Sequence, residues 1–396
     1  MSRSYRGAVP RVSPFFAGHS LIVLASLLLV LVAGGCAEQA ATTDELPTRV
    51  ATDLVRGAEC ATCLTLDSVA MLGDAADEIS IEPTAMTIPC GLGWTAELGF
   101  ISARMVGEGV IGVYGSGGAL DSLVGRPGSG PGEFRGDMRV LTTDAAMHVV
   151  DNRNLRVAHL GTGGEWMGST RFPARAVAHT VLGSGQLLLH ARPRGGEEAE
   201  PPYRLFVDAD DVHRFGAVDP ELGELDQRVV TGLADSSSEF IEAGIWRYEL
   251  TRRNVDGSVR WRLARRPEWF SAPPPSLDDV GRMHVEIPPA PVVTQVWEDD
   301  AGHLRVLSMV PDLDWSPGTP DSRSIAWIHD TFDSVLEVID PETRELLGSR
   351  RSDEVLAAMC GSRWLYTIRE TEEGDTRAVV LRAELASPPV EVGEGG

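Results

Sequence analysis

The sequence predicts an all-β protein, a six-bladed β-propeller that is closed by an N-terminal strand pairing with the last blade. From about residue 64 apolar and polar residues alternate with period two, and long helical patterns are scarce. A unit of strand, tight polar turn and strand recurs, with turns near residues 116, 162, 209 and 256 and a fifth near 342. The first steps are 46, 47 and 47 residues, and a four-stranded propeller blade takes about 40–50. This regular step favours a propeller over a large β-sandwich.

A second hairpin completes each blade. Segment 138–160 (MRVLTTDAAMHVVDNRNLRVAHL) supplies three strands of blade two, and EWMGSTRF supplies the fourth. Segments 292–309 and 355–370 repeat the first hairpin in blades five and six. The last blade ends in RAVVLRAEL without an outer strand, and LTLDSVAMLG (64–73) has the pattern of that strand. We therefore expect residues 64–73 to close the ring, because an open ring would expose an unpaired edge. Seven blades are the alternative count.

The N-terminal segment has the pattern of an export signal. Arg3, Arg6 and Arg11 precede an apolar run, LIVLASLLLVLVA (21–33), which is too short for a membrane span and suits a signal peptide. Small residues then lead to Cys36, an arrangement that resembles the bacterial lipobox, in which the cysteine is acylated. Residues 1–35 are predicted to be a lipoprotein signal peptide. An ordinary secretory signal with an incidental cysteine is the alternative.

The domain prediction follows from these patterns. Residues 36–59 are expected to be a lipidated N-terminus and flexible tether, 60–388 the propeller, and 389–396 a disordered tail. The expected location is the cell envelope, with the membrane contacted through the N-terminal lipid. Because alanine and not aspartate follows Cys36, we expect the outer membrane if the host has one.

Composition excludes several functions. All 35 basic residues are arginine, so lysine-dependent phosphate loops and Schiff bases are ruled out. The net charge of −23 argues against a nucleic-acid partner, which requires a basic face.

The glycine-rich stretch VGRPGSGPGEFRG (124–136) raises the question of a phosphate-binding loop. Gly128, Gly130 and Gly132 alternate, but Glu133 occupies the position after them and Pro131 removes a backbone donor. A strand and not a helix follows. The stretch is predicted to be a structural connector between two blades.

Four cysteines remain beyond Cys36. Cys60 and Cys63 form a CxxC pair without the following histidine of a haem site or a second CxxC of a zinc ribbon. Cys90 and Cys360 fall in blades one and six, which adjoin in a closed ring. Since export favours disulfides, we expect a Cys90–Cys360 bridge, and Cys60–Cys63 as a local bridge or a thiol pair.

No catalytic residue, metal ligand or cofactor is assigned, because the nine histidines are scattered and no HExxH occurs. Proline-rich insertions place Trp269, Phe270 and Trp315 outside the regular strands. These three are the candidate partner-binding residues, with packing of the rings as the alternative. The insertion at 311–330 interrupts blade five.

One family resemblance accompanies these patterns. Asp151-Asn152-Arg153-Asn154-Leu155-Arg156-Val157 matches the D-x-x-N-x-R-[IV] strand pair of NHL-type propellers. The connector GRPGSGPGEF, the CxxC segment and VLEVIDPETRELL resemble bacterial six-bladed propeller lipoproteins of unknown role. The resemblance implies architecture and export and brings no catalytic residues.

Two functions remain open. The first is a binding or scaffold module that presents one propeller face to an unknown protein or small molecule. The second is a metal-dependent hydrolase or lyase, similar to lactonases, with its site in the central channel. Fold alone does not decide between them.

Overall fold

Six sheets form the blades of a β-propeller, each with four antiparallel strands and one with an added fifth strand, which confirms the predicted fold class and blade number. The computed structural model describes residues 51–57, 60, 62–73, 90–102, 109–143, 146–182, 185–192, 203–207, 212–217, 228–232, 238–270, 286–317, 324–359, 364–372 and 374–386. The signal segment, Cys36 and the tail at 389–396 lie outside these residues. The propeller belongs to one compact unit, residues 49–396.

The strands follow the chain in blade order. Two strands precede blade one: β1 (Thr52–Leu54) and β2 (Leu64–Leu72). Blade one contains β3 (Leu92–Thr95), β4 (Gly99–Ser102), β5 (Ile111–Tyr114) and β6 (Leu120–Val124). The connector to blade two contains β7 (Arg126–Pro127) and β8 (Glu133–Phe134), a short parallel pair. Blade two contains β9 (Met138–Thr142), β10 (Ala146–Asp151), β11 (Arg156–Gly161) and β12 (Trp166–Arg171).

The remaining blades repeat this order. Blade three contains β13 (Arg175–Val181), β14 (Leu187–Arg192), β15 (Tyr203–Val207) and β16 (Val212–Ala217). Blade four contains β17 (Arg228–Gly232), β18 (Glu239–Gly244), β19 (Arg247–Asn254) and β20 (Val259–Ala264), followed by a 3₁₀ turn at Glu268–Phe270. Blade five contains β21 (Val292–Glu298), β22 (Leu304–Pro311), helix α1 (Ile325–Thr331), β23 (Phe332–Asp340) and β24 (Glu345–Ser352). Blade six contains β25 (Ala357–Ala358), β26 (Trp364–Glu370) and β27 (Thr376–Leu385).

Each interface between neighbouring blades holds its own apolar cluster. Among the described residues there are six such clusters, one for each pair of adjoining blades, including the pair of blades six and one. The middle strands of a blade therefore bury both faces, and this explains continuous apolar runs such as Val149-Val150 in β10. Burial of these faces holds the blades together.

The ring is closed by β2, which pairs antiparallel with β27 as the outer strand of blade six. The register runs from Leu64 opposite Leu385 to Leu72 opposite Ala378, with a bulge between Ser68 and Ala70. Leu64 is buried between blades five and six, and Leu72 is buried between blades six and one. The outer edge of β27 is thus paired.

A strap at residues 52–57 differs from the predicted tether. Strand β1 pairs parallel with β20 and becomes a fifth strand of blade four. Arg56 then forms a bridge to Glu345 on the outer strand of blade five, and Asp53 pairs with Arg344 at 3.1 Å. Val55 is buried in the cluster between these blades. The prediction of a flexible tether up to residue 59 is therefore wrong for the strap, because its backbone and one side chain complete the outer edges of two blades.

Blade three contains a buried histidine whose ring nitrogens lack a hydrogen-bond partner among the described residues. His179 in β13 is buried, and neither ring nitrogen has a hydrogen-bond partner within the described part of the chain. The pKa of His179 is lowered to about 3. Burial is the largest cause, the charge of Arg139 acts in the same direction, and the charge of Asp137 opposes the shift. The ring is therefore neutral in the folded protein.

The strap can be tested by truncating its buried side chain. Val55 is 8% exposed, whereas the adjacent Leu54 is 58% exposed. We expect Val55→Ala to lower the free energy of unfolding by roughly 1–2 kcal/mol, because two buried methyl groups are lost. The matched variant Leu54→Ala should change it by less than about 0.5 kcal/mol. Urea unfolding curves measure both, and equal destabilisation by the two variants would contradict the buried strap.

The buried histidine predicts an acid-sensitive fold. The unfolded chain binds a proton near pH 6.5 and folded His179 only near pH 3, so its contribution is complete above pH 6.5 and decreases as the pH falls towards 3. At pH 5 the loss is about 2 kcal/mol. We expect His179→Leu to lose less stability than the wild type between pH 7.5 and 5, with the exposed His213→Gln as the control. The same pH dependence of the urea midpoint in wild type and His179→Leu would refute this assignment.

Candidate functional site

The glycine-rich connector contains an anion-binding turn that its own Glu133 occupies. The Glu133 carboxylate accepts hydrogen bonds from the backbone N–H groups of Ser129 (3.0 Å) and Gly130 (2.8 Å), and Arg126 donates to it at 3.0 Å. The Gly130 N–H is the largest cause that lowers the pKa of Glu133 below its usual range. Gly128 has a φ of 149°, and a Cβ there would overlap the Glu133 carboxylate. The donors that a phosphate would need are already used.

The Asp151–Val157 motif holds this connector in place. Arg156 donates to the backbone carbonyls of Ser129 and Gly130, each at 3.1 Å, and to that of Glu133. Asn154 donates to the carbonyl of Gly128 at 3.0 Å and to the Asp151 carboxylate at 2.6 Å. The motif therefore fixes the path of the chain between blades one and two. Within the motif, Arg156 and Asn154 are therefore structural residues.

Two fully buried carboxylates are neutralised between blades. Glu242 in β18 pairs with Arg204 of blade three and with Arg253 of its own blade. Glu337 in β23 accepts from the Tyr248 hydroxyl at 2.6 Å and pairs with Arg265 at 3.2 Å, both of blade four. Burial, followed by the charge of Glu337, raises the pKa of Tyr248 well above its usual value. These groups join blades four to three and five, and they do not form an open acid–base site.

The insertion of blade five is anchored by helix α1. Ile325 and Ile328 pack into the cluster between blades six and one, and Ser324 caps the helix by accepting from the Trp327 N–H. His329 lies between two backbone groups of the blade-six region: Nδ1 accepts from the Val355 N–H at 3.0 Å, and Nε2 lies 3.1 Å from the Ile368 carbonyl. The helix therefore fixes one end of the insertion to the neighbouring blade.

The other end of the insertion is held by Arg351. Its guanidinium donates to the Pro311 carbonyl at 2.6 Å and to the Asp333 carboxylate at 2.5 Å. Burial raises the pKa of Asp333, and the hydrogen bond from Arg351 opposes that shift. The Asp312 N–H also donates to the Thr331 carbonyl at 3.0 Å, which joins the two ends of the insertion.

A tight turn at Asp312–Trp315 projects from this base. The Asp312 carboxylate accepts from the Asp314 N–H at 2.6 Å, and its carbonyl accepts from the Trp315 N–H at 3.3 Å. Leu313, at the tip, is 78% exposed, and Trp315 is half-buried. Trp315 was predicted from the sequence and Leu313 was not, although an apolar residue between two aspartates in a proline-rich insertion was a usable signal. This apolar tip (Leu313 and Trp315) is the candidate partner-binding site.

The other two candidate partner-binding residues lie elsewhere. Trp269 and Phe270 are half-buried, and their rings pack on Tyr248 with centroid distances of 6.1 and 5.5 Å. They extend the apolar cluster between blades four and five. This packing favours a structural role for both rings.

The cysteines give one defined pair. Cys60 and Cys63 form a disulfide with an S–S distance of 1.97 Å, at the start of β2. The Cys63 carbonyl accepts from the Ala386 N–H at 2.8 Å, so the bridge lies where the two ends of the propeller meet. Cys90 is also disulfide-bonded. Cys360 lies outside the described residues, and its pairing with Cys90 stays a prediction.

Within the described ranges, no group of three or more His, Cys, Asp or Glu residues is arranged to hold a metal ion. None of the helices that the structure describes is long and apolar enough to cross a membrane.

Comparison with known proteins supports the fold. No protein-family model matches the chain, and no curated protein does. A member of the DUF4221 family from Bacteroides vulgatus superposes with a TM-score of 0.58 at 9% identity, over 82% of this chain and 99% of its own. A Bacteroides fragilis protein assigned as exported gives 0.51 at 12% identity, over 85% and 99%. A gluconolactonase from Xanthomonas campestris gives only 0.42 at 11% identity, over 81% and 100%, which carries no argument about function. The chain is thus similar to these propellers in architecture alone.

Proposed function

We propose that this chain is an exported, lipid-anchored propeller that binds a partner through the apolar tip of its blade-five insertion. The observation that carries the proposal is an exposed leucine held at the end of a hydrogen-bonded turn on a fixed base. Strand β22 ends at Pro311, and Leu313 follows it in an exposed position between Asp312 and Asp314. Neither strand pairing nor core packing therefore explains an apolar side chain there.

The fixed arrangement of the described parts of the insertion, 311–317 and 324–330, supports a binding role. A loop that is fixed before binding avoids part of the entropy cost of association, which is about 1–2 kcal/mol for each backbone residue that must be ordered. Arg351 and helix α1 fix the two ends of the insertion, and Asp312 fixes the turn. A rigid scaffold that carries one apolar anchor is typical of binding surfaces.

The lipid anchor is supported by the N-terminal residues. Arginines precede a short apolar run, and small residues lead to Cys36. Each buried CH₂ of an acyl chain contributes about 0.8 kcal/mol, so several chains on one terminus anchor a protein firmly. Alanine after Cys36 favours the outer membrane in a host that has one.

Lipidation is tested by Cys36→Ser. We expect the variant to lose metabolic labelling with a radioactive fatty acid and to leave the membrane fraction, because the thiol is the attachment site. The neighbouring Ala37→Ser should keep both the label and the membrane location. An acylated Cys36→Ser protein, or a wild-type chain without label, would reject the lipid anchor.

The binding site is tested by Leu313→Asp in the full-length protein. Loss of a leucine contact that is buried in the complex with the partner costs about 2 kcal/mol. Capture of the partner from a membrane extract should therefore weaken about 30-fold. The matched control is Met167→Asp, since Met167 is 66% exposed on β12, away from the insertion. Equal capture by both variants would overturn the proposal. Chelator-sensitive hydrolysis of lactones by both variants would overturn it in favour of an enzyme with its site in the central channel.

A further inference from the structure

Two histidines contact each other on the middle strands of blade two. His148 in β10 lies directly opposite His159 in β11, and their Nδ1 atoms are 3.0 Å apart. The ring planes are nearly perpendicular, at 82°. Both residues share a face with Val150 and Val157, which pack against blade three. His148 is 9% exposed and His159 is half-buried, so the pair is close to the surface without being free in solvent.

The two Nδ1 atoms share one N–H···N hydrogen bond, in which one ring donates and the other accepts. Two N–H groups cannot face each other at 3.0 Å, so at least one Nδ1 carries no proton. The Thr170 hydroxyl oxygen lies 3.0 Å from Nε2 of His159 and can accept a hydrogen bond from a protonated Nε2. In that tautomer Nδ1 of His159 is the acceptor, and Nδ1 of His148 carries the shared proton. A ligand histidine in proteins is commonly oriented in this way, by a hydrogen bond from its other ring nitrogen.

The separation of the two nitrogens selects a metal geometry. At a metal–nitrogen distance of about 2.0 Å, nitrogens 3.0 Å apart subtend about 97° at the metal. Adjacent ligands of a tetragonal ion subtend about 90°, and tetrahedral ligands need a separation of about 3.3 Å. Imidazole nitrogens in tetragonal positions suit Cu²⁺, which also stands highest in the affinity order of the divalent first-row ions.

We propose that His148 and His159 bind one Cu²⁺ ion through their Nδ1 atoms in adjacent positions. Water fills the remaining positions, since no Cys, Asp, Glu or further His among the described residues completes a group of three with the pair. On binding, the ion replaces the proton between the two Nδ1 atoms; that proton moves from Nδ1 to Nε2 of His148, and both imidazoles stay neutral. The site is independent of the apolar tip and of the lipid anchor.

The experiment titrates the full-length protein with a copper(II) salt and records electron paramagnetic resonance spectra. We expect one bound Cu²⁺ with hyperfine coupling to two imidazole nitrogens, and retention of the ion against a hundredfold excess of Zn²⁺. A wild-type spectrum without coupling to two imidazole nitrogens would by itself overturn the proposal, whatever the variants do.

Matched variants identify the ligands. His148→Asn and His159→Gln should each weaken Cu²⁺ binding at least tenfold and remove one nitrogen coupling. His213→Gln, an exposed histidine on β16, should leave affinity and spectrum unchanged. Circular dichroism and melting without copper confirm that each variant is folded. Folded His148→Asn protein with wild-type affinity and an unchanged spectrum would contradict the assignment.

Discussion

Pairing of β2 with β27 is the constraint on which the remaining structure depends. It joins residues at the start of the propeller to residues at its end, and it converts a row of blades into a ring. Without it, the apolar cluster between blades six and one would lose Leu72, and the cluster between blades five and six would lose Leu64. The Cys60–Cys63 disulfide lies beside this junction, where the Cys63 carbonyl also binds the Ala386 N–H.

Groups that look functional in the sequence are largely used to hold neighbouring blades or connectors. Glu133 occupies the donors of the glycine-rich turn, and Arg156 binds the carbonyls on the other side of the same loop. Glu337 is held by Tyr248 and Arg265. An asparagine, an arginine or a buried glutamate in a propeller therefore has to be traced to its partners before it is given a chemical role.

The fold was predictable because each blade repeats one pattern at a nearly constant spacing. Two-sided burial explains why strand alternation fades in the middle strands while the turns stay visible. The strap was not predictable: three residues without alternation pair with one strand, β20, about two hundred residues away, and that parallel register leaves no local signal. The position of Leu313 depended on hydrogen bonds of Asp312 that spacing does not reveal. The contact of His148 with His159 follows from strand register, which a scattered set of histidines hides.

The strap has a mechanical consequence. Residues 52–57 lie along the outer edges of blades four and five before the chain reaches β2. A pulling force applied from the N-terminal side first loads the three residue pairs of β1 and β20, then the bridge at Arg56, and only afterwards the closing strand. Tension on the N-terminal side of the chain therefore reaches the pairing of β2 with β27 only through the strap.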